Sequence, residues 1–331
     1  MPTVRVTTPI AATNLGPGLD RIALATGLYT TVVVSDAQSG LSITSSFPGH
    51  SPDQSQMVDR LFRETLSPLF RKVGFAISGL TVSISIDCPP TMLGARESII
   101  IASSIASNIL IGAPLEKSTL QELAFTLTDS PSLIIASIQG RLAIANQSET
   151  KTTFASLPTE PMNLFLVGLL PPPSTIPSGQ KTIPLEDAHF NIGQTGLLVH
   201  ALQTSDYNLL SNALEDRIAQ AALRESSSLW KSLSQPALDA GAAALTIADN
   251  TGTLLIFAPD GHDEIEESLK HTWKQKDDQE LKTWSVPIDT QGIRISEMGS
   301  RIASPPIPAT DLPVAWPFIP RTERNPQPSN A

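Results

Sequence analysis

Thr13-Asn14-Leu15-Gly16-Pro17-Gly18-Leu19-Asp20 lies between two apolar runs, Val4 to Val6 and Tyr29 to Val34. Two glycines and a proline in three positions force a tight turn, because glycine tolerates backbone angles that other residues avoid and proline fixes its own. Asn14 and Asp20 flank that turn, so a carboxamide and a carboxylate can be aimed at one small ligand. The plain alternative is a strand-connecting loop with Asn and Asp as turn formers. On residue types alone the loop reading is the stronger.

Composition narrows the classes. At 331 residues the chain suits two lobes or one large domain, and 40% hydrophobic residues are enough for a real core. A formal net charge of −10 and the lack of a basic patch with interleaved aromatics argue against nucleic acid or an acidic membrane as a partner. One cysteine, Cys88, allows no internal disulfide framework and no thiolate metal cluster. Its surroundings supply no base for a nucleophile, so it reads as a buried strand-end thiol. His189, His200, His262 and His271 show no trusted metal-ligand spacing. No signal peptide and no bilayer-length apolar run is seen, so a cytoplasmic protein is expected.

Periodicity gives the element order. Thr3–Thr7, Thr30–Ser35 and Leu41–Ser45 read as strands, and Ser45 to Gln56 as a loop. Met57 to Phe70 has helical spacing, with Pro68 expected to kink or end it. Leu80, Val82, Ile84 and Ile86 alternate as in a half-buried strand. Helices are expected over Ile99 to Ile111, over Lys117 to Leu127 with Ser118 and Gln121 as a capping box, and over Pro131 to Ile138. A strand follows at Arg141 to Ala145.

Pro158 to Met162 marks a lobe boundary. Beyond it come a buried strand at Leu164 to Leu170, helices at Leu185–Leu202, Tyr207–Leu214 and Arg217–Trp230, and a strand pair at Ala242–Ile247 and Thr253–Phe257. An amphipathic helix at Asp263–Lys274 and strands at Lys282–Pro287 and Gly292–Ile295 complete an α+β lobe with helices on one side of an antiparallel sheet. The expected domains are 1–160, 161–300 and a proline-rich tail, 301–331, in which Leu312–Ile319 docks through Trp316 and Phe318 and the residues after Arg324 are disordered.

The wording of the first stretch adds a resemblance. Pro9-Ile10-Ala11-Ala12-Thr13-Asn14-Leu15-Gly16-Pro17-Gly18-Leu19-Asp20 resembles the first motif of homoserine kinases in the GHMP small-molecule kinase superfamily, Pro-Ala-Thr-x-Ala-Asn-Leu-Gly-Pro-Gly-Phe-Asp. Ala188-His189-Phe190-Asn191 with Gly196 to Leu202, and Gly241-Ala242-Ala243-Ala244-Leu245-Thr246, are similar to later segments of that family. The resemblance implies a two-lobed GHMP kinase-like fold: an N-terminal mixed α/β lobe and a C-terminal ferredoxin-like α+β lobe. It implies that Asn14 and Asp20, with the turn glycines Gly16 and Gly18, contact a small acceptor, and it makes a homodimer plausible.

Three family features differ in this chain. The phosphate loop Gly-Leu-Gly-Ser-Ser-Ala corresponds to Met92-Leu93-Gly94-Ala95-Arg96-Glu97, which keeps one glycine, loses both serines and adds a carboxylate. Thr128 stands where the family has a metal-holding glutamate, with Asp129 beside it. The third motif, Ser-Gly-Ala-Gly-Pro-Thr, reads Ala248-Asp249-Asn250-Thr251-Gly252-Thr253. On the acceptor side, Asn191 is present, Gln194 replaces an arginine that grips the substrate carboxylate, and Arg224 sits one residue late against Asp216.

Since phosphoryl transfer depends on clamping a triphosphate and a metal, these changes point to a repurposed fold. The leading expectation is ATP-independent acid–base chemistry of lyase, isomerase or cyclase type on a small polar or anionic metabolite, with no cofactor and no metal. Asp20 or Glu97 is then the base and Arg96 the anion clamp. The plain alternative for Arg96 and Glu97 is a surface ion pair. Two other readings stay open: a divergent ATP- and Mg-dependent homoserine or small-alcohol kinase, and a non-catalytic pseudokinase that binds a metabolite or protein.

Overall fold

The computed structural model describes residues 2–76, 78–149, 151–170, 172, 182–298 and 307–308. The first half runs β1 (Thr3–Ala12), a 3-10 turn (Gly16–Arg21), β2 (Ile22–Asp36), β3 (Gly40–Ser46), α1 (Pro52–Val73), β4 (Phe75–Ala76), β5 (Gly79–Ile86), α2 (Ala95–Leu110), α3 (Lys117–Phe125), α4 (Pro131–Gln139), β6 (Leu142–Gln147) and β7 (Thr152–Leu157). The second half runs β8 (Asn163–Leu170), α5 (Leu185–Thr204), α6 (Tyr207–Ala213), α7 (Gln220–Ser226), α8 (Ser228–Asp239), β9 (Ala244–Ile247), β10 (Leu254–Phe257), α9 (His262–Lys274), β11 (Glu280–Pro287), β12 (Arg294–Met298) and β13 (Ile307–Pro308).

The larger sheet has seven strands in the order β12-β1-β2-β5-β3, with β6 paired to β2 and β7 to β6. Only the β3–β5 pairing in it is parallel. Leu80, Val82, Ile84 and Ile86 of β5 are buried while Thr81, Ser83 and Ser85 between them are exposed, as period-two alternation requires. Against this sheet lies α2, buried on nearly every side. Its small residues let it sit close. Ser98 serves that contact directly: its hydroxyl is 2.6 Å from Thr30 Oγ1, and its carbonyl accepts from Thr8 Oγ1 at 3.2 Å.

The second sheet, β11-β8-β10-β9, is antiparallel throughout. β8 and β10 are buried on both faces because their alternate residues serve different cores. Leu164, Leu166, Leu255 and Phe257 join the core of the first sheet. Phe165, Val167, Leu254 and Ile256 meet Leu233, Ile265, Leu269 and Trp273 of α8 and α9. The α+β reading, with helices on one side of the second sheet, therefore holds, and the other side of that sheet closes on the first lobe.

Several local expectations need correction. α1 starts at Pro52 because Ser51 caps it, its hydroxyl accepting from the Gln54 amide at 3.3 Å. Pro68 lies inside α1 without ending it; the helix stops at Gly74, whose φ of 82° is the left-handed stop. The Ser118–Gln121 box does not form, since the helix begins at Lys117 and the flanking residue is Glu116 without a side-chain cap. The Arg217–Trp230 helix is two helices, parted at Ser227, whose hydroxyl accepts from the Trp230 amide at 3.1 Å. β12 returns to the first sheet beside β1. A short pairing joins β13 to β4; the expectations for Leu312–Ile319 and beyond Arg324 fall outside the described residues.

Candidate functional site

The Thr13–Asp20 turn is held from inside and from the second lobe. Asn14 N donates to Leu19 O at 3.0 Å, and Thr13 Oγ1 donates to the carbonyls of Leu19 and Ile22, both at 3.1 Å. Asn14 adopts φ 56°, a left-handed angle that asparagine bears better than most residues. Gly16 has φ 49°, and a Cβ there would stand 2.7 Å from Leu214 O, so the turn presses backbone to backbone on the chain between α6 and α7. Gln220 Nε2 donates to Asn14 O at 2.7 Å and to Ile247 O at 3.0 Å.

Asn191 and Gln194 arrive on α5, which leans on the same turn through Thr195 Oγ1 and the Pro17 carbonyl, 3.4 Å apart. Asn191 is buried, and its Nδ2 donates to Asp216. The rest of Asp216 is occupied by the amides of Ile218, Ala219 and Gln220, so it organises the entry to α7. Gln194 turns its amide to Asn212 O. Arg224 lies at the far end of α7 with its guanidinium 4.3 Å from the Trp230 ring centre. Its Nε has no hydrogen-bond partner, and burial lowers its pKa against the pull of Asp216 and Glu215. The turn and Asn191 thus lie together, Asp20 turns to Ser130, and Arg224 senses Asp216, the partner of Asn191.

Asp20, Arg96 and Glu97 all reach the segment 127–130, and Arg96 also pairs with Glu97. Burial raises the Asp20 pKa, the nearby Arg21 and a hydrogen bond from Ser130 oppose this, and Asp129 adds to it. Arg96 donates to Leu127 O at 2.7 Å and stands 3.4 Å from Glu97. Glu97 is only 7% exposed and accepts from Thr128 Oγ1 at 2.8 Å. Burial pushes its carboxyl up, outweighing Thr128 and Arg96. The surface ion-pair reading is therefore corrected on the glutamate side: Glu97 is an interior group, while Arg96 keeps its guanidinium at the surface.

The loop before α2 keeps Gly94 for a packing reason. Gly94 N donates to Ala11 O at 2.8 Å, and an added Cβ would meet Ala11 O and Leu133 Cδ2, both at 2.9 Å. No side chain caps α2 at Gly94, and Glu97 stands in its first turn. Ser130 and Gln220 were missed by the sequence reading, and Thr128, Asp216, Asp249 and Asn250 were noted there without a site role. Asp249 carried a signal, since it and Thr251 sit where the third family motif loses its glycines, with Asn250 between them. Among the described residues no group of three or more His, Cys, Asp and Glu is placed to hold a metal ion, and no helix is long and apolar enough to cross a membrane. Cys88 is buried at the end of β5, and burial raises its pKa.

No family model matches the chain. It is 26% identical over 277 residues to the homoserine kinase of Petrotoga mobilis, covering 80% of this chain and 88% of the relative. It is 28% identical over 311 residues to the homoserine kinase of a Synechococcus strain, covering 90% and 97%. Among solved structures, the homoserine kinase of Cytophaga hutchinsonii superposes with a TM-score of 0.74 at 18% identity, covering 89% of this chain and 97% of the other. The L. major mevalonate kinase, solved with R-mevalonate, gives 0.61 at 16% identity over 86% and 95%. These likenesses overturn the expectation of ATP-independent acid–base chemistry. The chain is similar in sequence to homoserine kinases over most of its length and shares the fold of the solved homoserine and mevalonate kinases, as the first motif implied.

Proposed function

We propose that this protein transfers a phosphoryl group from ATP to the hydroxyl of homoserine or a closely similar small amino alcohol. The observation that carries the reading is the run of homoserine kinase relatives over most of the chain, supported by a Thr13–Asp20 turn on which the Asn191 helix leans through Thr195. Asn14 and Asn191 orient the acceptor. Asp20 takes the hydroxyl proton, a task favoured by a carboxylate whose proton affinity burial has raised.

The uncapped start of α2 and the half-exposed Arg96 guanidinium suit the phosphates of a nucleotide. Glu97 is buried and already takes the Thr128 hydroxyl at 2.8 Å, so neither is assigned to the metal, and magnesium would be held mainly by substrate phosphates and water. When bound, the metal nucleotide supplies the phosphoryl group and neutralises charge on it. The protein's own part is to aim Asp20 and keep Arg96 on the phosphate side.

The test is calorimetric titration with Mg-ATP, followed by addition of homoserine and assay of the phosphorylated product. Micromolar binding with product formation is expected. Nucleotide binding without product on homoserine moves the search to other small alcohols, and absence of both ends the kinase reading.

A further inference from the structure

Two segments that the kinase reading assigns to different substrates meet one turn of the second lobe. Asp249, in the β9–β10 turn, is buried. Its Oδ1 accepts from Thr251 N at 2.9 Å, Thr251 Oγ1 at 2.8 Å and Thr253 N at 3.1 Å. Its Oδ2 accepts from Thr253 Oγ1 at 2.9 Å and from Leu93 N at 2.8 Å. A buried carboxylate needs such a donor set. Four of those donors belong to the turn itself. The fifth is a backbone amide 156 positions earlier, in the loop that opens α2. Leu93 holds φ 52°, an angle a leucine keeps only when its surroundings impose it.

The neighbouring residues reach the other way. Asn250 Oδ1 accepts from Asn14 Nδ2 at 3.1 Å, and Ala248 O accepts from Thr13 N at 3.2 Å. Asn14 is also left-handed. Consecutive residues 248–250 thus hold one left-handed residue on the phosphate side and one on the acceptor side, both from the opposite lobe.

We propose that Asp249 and Asn250 are positioning residues that fix the α2 loop and the acceptor turn relative to each other, Asp249 serving the nucleotide side and Asn250 the acceptor side. The names of the two ligands rest on the kinase reading; the tether itself does not.

The residue pair can be separated experimentally. Asp249→Asn keeps an oxygen for the amides of Thr251 and Thr253 and sets an NH2 group against the Leu93 N–H, so it breaks the bond between lobes and spares the turn. Asn250→Ala removes the partner of Asn14. The full-length protein is followed by hydrogen exchange at the Leu93 amide, by Mg-ATP calorimetry and by the separate KM values for ATP and homoserine.

A hydrogen bond to a charged group supports a change of about tenfold or more. Asp249→Asn is therefore expected to speed Leu93 exchange and weaken ATP binding by about that factor, with the homoserine KM within about twofold. Asn250→Ala is expected to do the reverse. Adding Leu93→Gly to Asp249→Asn should recover ATP affinity, since glycine adopts the left-handed angle unaided; the double variant also carries the test if Asp249→Asn alone fails to fold. Unchanged Leu93 exchange in Asp249→Asn, or equal shifts of both KM values in both variants, would overturn the proposal. If the unaltered protein binds no Mg-ATP, the kinase reading falls, and Leu93 exchange still decides the tether.

Discussion

The Thr13–Asp20 turn and the Met92–Ser98 loop both lead from a strand into a helical element, and both carry a non-glycine residue at positive φ. They are built differently. The first makes part of its shape itself, with Thr13 and Asn14 bonded to Leu19, and Gly16, Thr13 and Asn14 then meet Leu214, Ala248, Gln220 and Asn250 of the other lobe. The second borrows its order. Asp249 holds the Leu93 amide from the other lobe, and Thr128 satisfies Glu97 from the loop before α4. A turn made by backbone angles keeps its wording in one stretch of sequence. A loop held by distant side chains spreads its wording over the chain, and reading it in isolation makes it look broken.

On the proposed kinase reading, the largest effect should come from removing Asp20, the group assigned to take the hydroxyl proton. General base catalysis contributes about 10²–10⁴-fold, so Asp20→Asn is expected to lower kcat by at least about 100-fold. Mg-ATP affinity measured by calorimetry should stay within about threefold, because Asp20 faces Ser130 and not the start of α2. Loss of both together would place Asp20 on the nucleotide side and blur the contrast between the two regions.

Gly16→Ala probes the same turn through stability. The added methyl would meet Leu214 O, Cα and C at 2.7, 2.8 and 2.9 Å, all backbone atoms that cannot step aside, and alanine must also hold φ 49°. Overpacking of about 1–3 kcal/mol plus about 1 kcal/mol for the left-handed angle predicts a loss of roughly 2–4 kcal/mol in denaturant unfolding. Gly40→Ala supplies the control: φ is 76° there but nothing lies within 4 Å, so only the cost of the angle, about 1 kcal/mol, remains. Equal losses at the two sites would show that the approach to Leu214 is not what fixes Gly16.

This contrast also explains what could be read before the structure was known. The period-two burial of β5 and the small-residue helix α2 were legible because a strand or helix buries its face by local repetition. Asn14, Gly16 and Asp20 were legible because their turn is local. The role of Glu97 was not, since its burial depends on Thr128, 31 positions away, and the two replacements look like separate losses until they are seen to meet. Asp249 is the clearer case: a lost glycine in the third motif is, in space, the acceptor for an amide of the phosphate-side loop. Ser51 as the cap of α1 was within reach of pattern reading, and the polar stretch around it hid the helix start.

Arg96→Ala should have an intermediate effect confined to the second region. The guanidinium is half-exposed and held to Leu127 O at 2.7 Å, so it packs little core and the thermal midpoint should barely move. A charge-assisted contact to phosphate supports a loss of about tenfold in Mg-ATP affinity, read by calorimetry, with the homoserine KM unchanged. An unchanged ATP affinity would leave the uncapped α2 start as the phosphate contact and remove Arg96 from it.

Glu97→Gln should give the smallest shift, and one of opposite sign. Burial raises the Glu97 pKa in the folded protein. A carboxyl whose folded value lies above its ordinary value of 4.5 binds its proton more tightly when folded, so its stabilising contribution is complete below that ordinary value. The contribution is lost as pH rises through the raised folded value, above which the interior charge is carried at a cost. Glutamine keeps an oxygen for Thr128 and carries no charge. Glu97→Gln should therefore be more stable than the unaltered protein above the raised Glu97 value, by about 1 kcal/mol or less, with the gap closing as the pH falls to about 4. Removal of a negative charge beside the α2 start should also tighten Mg-ATP modestly, against the loss from Arg96→Ala. Lower stability together with weaker ATP binding in Glu97→Gln would mean that the carboxylate works in its charged form as a metal ligand. In that case Glu97 and Thr128 would be a working donor pair of the phosphate side, and the second region would be as complete as the first, assembled from different parts of the chain.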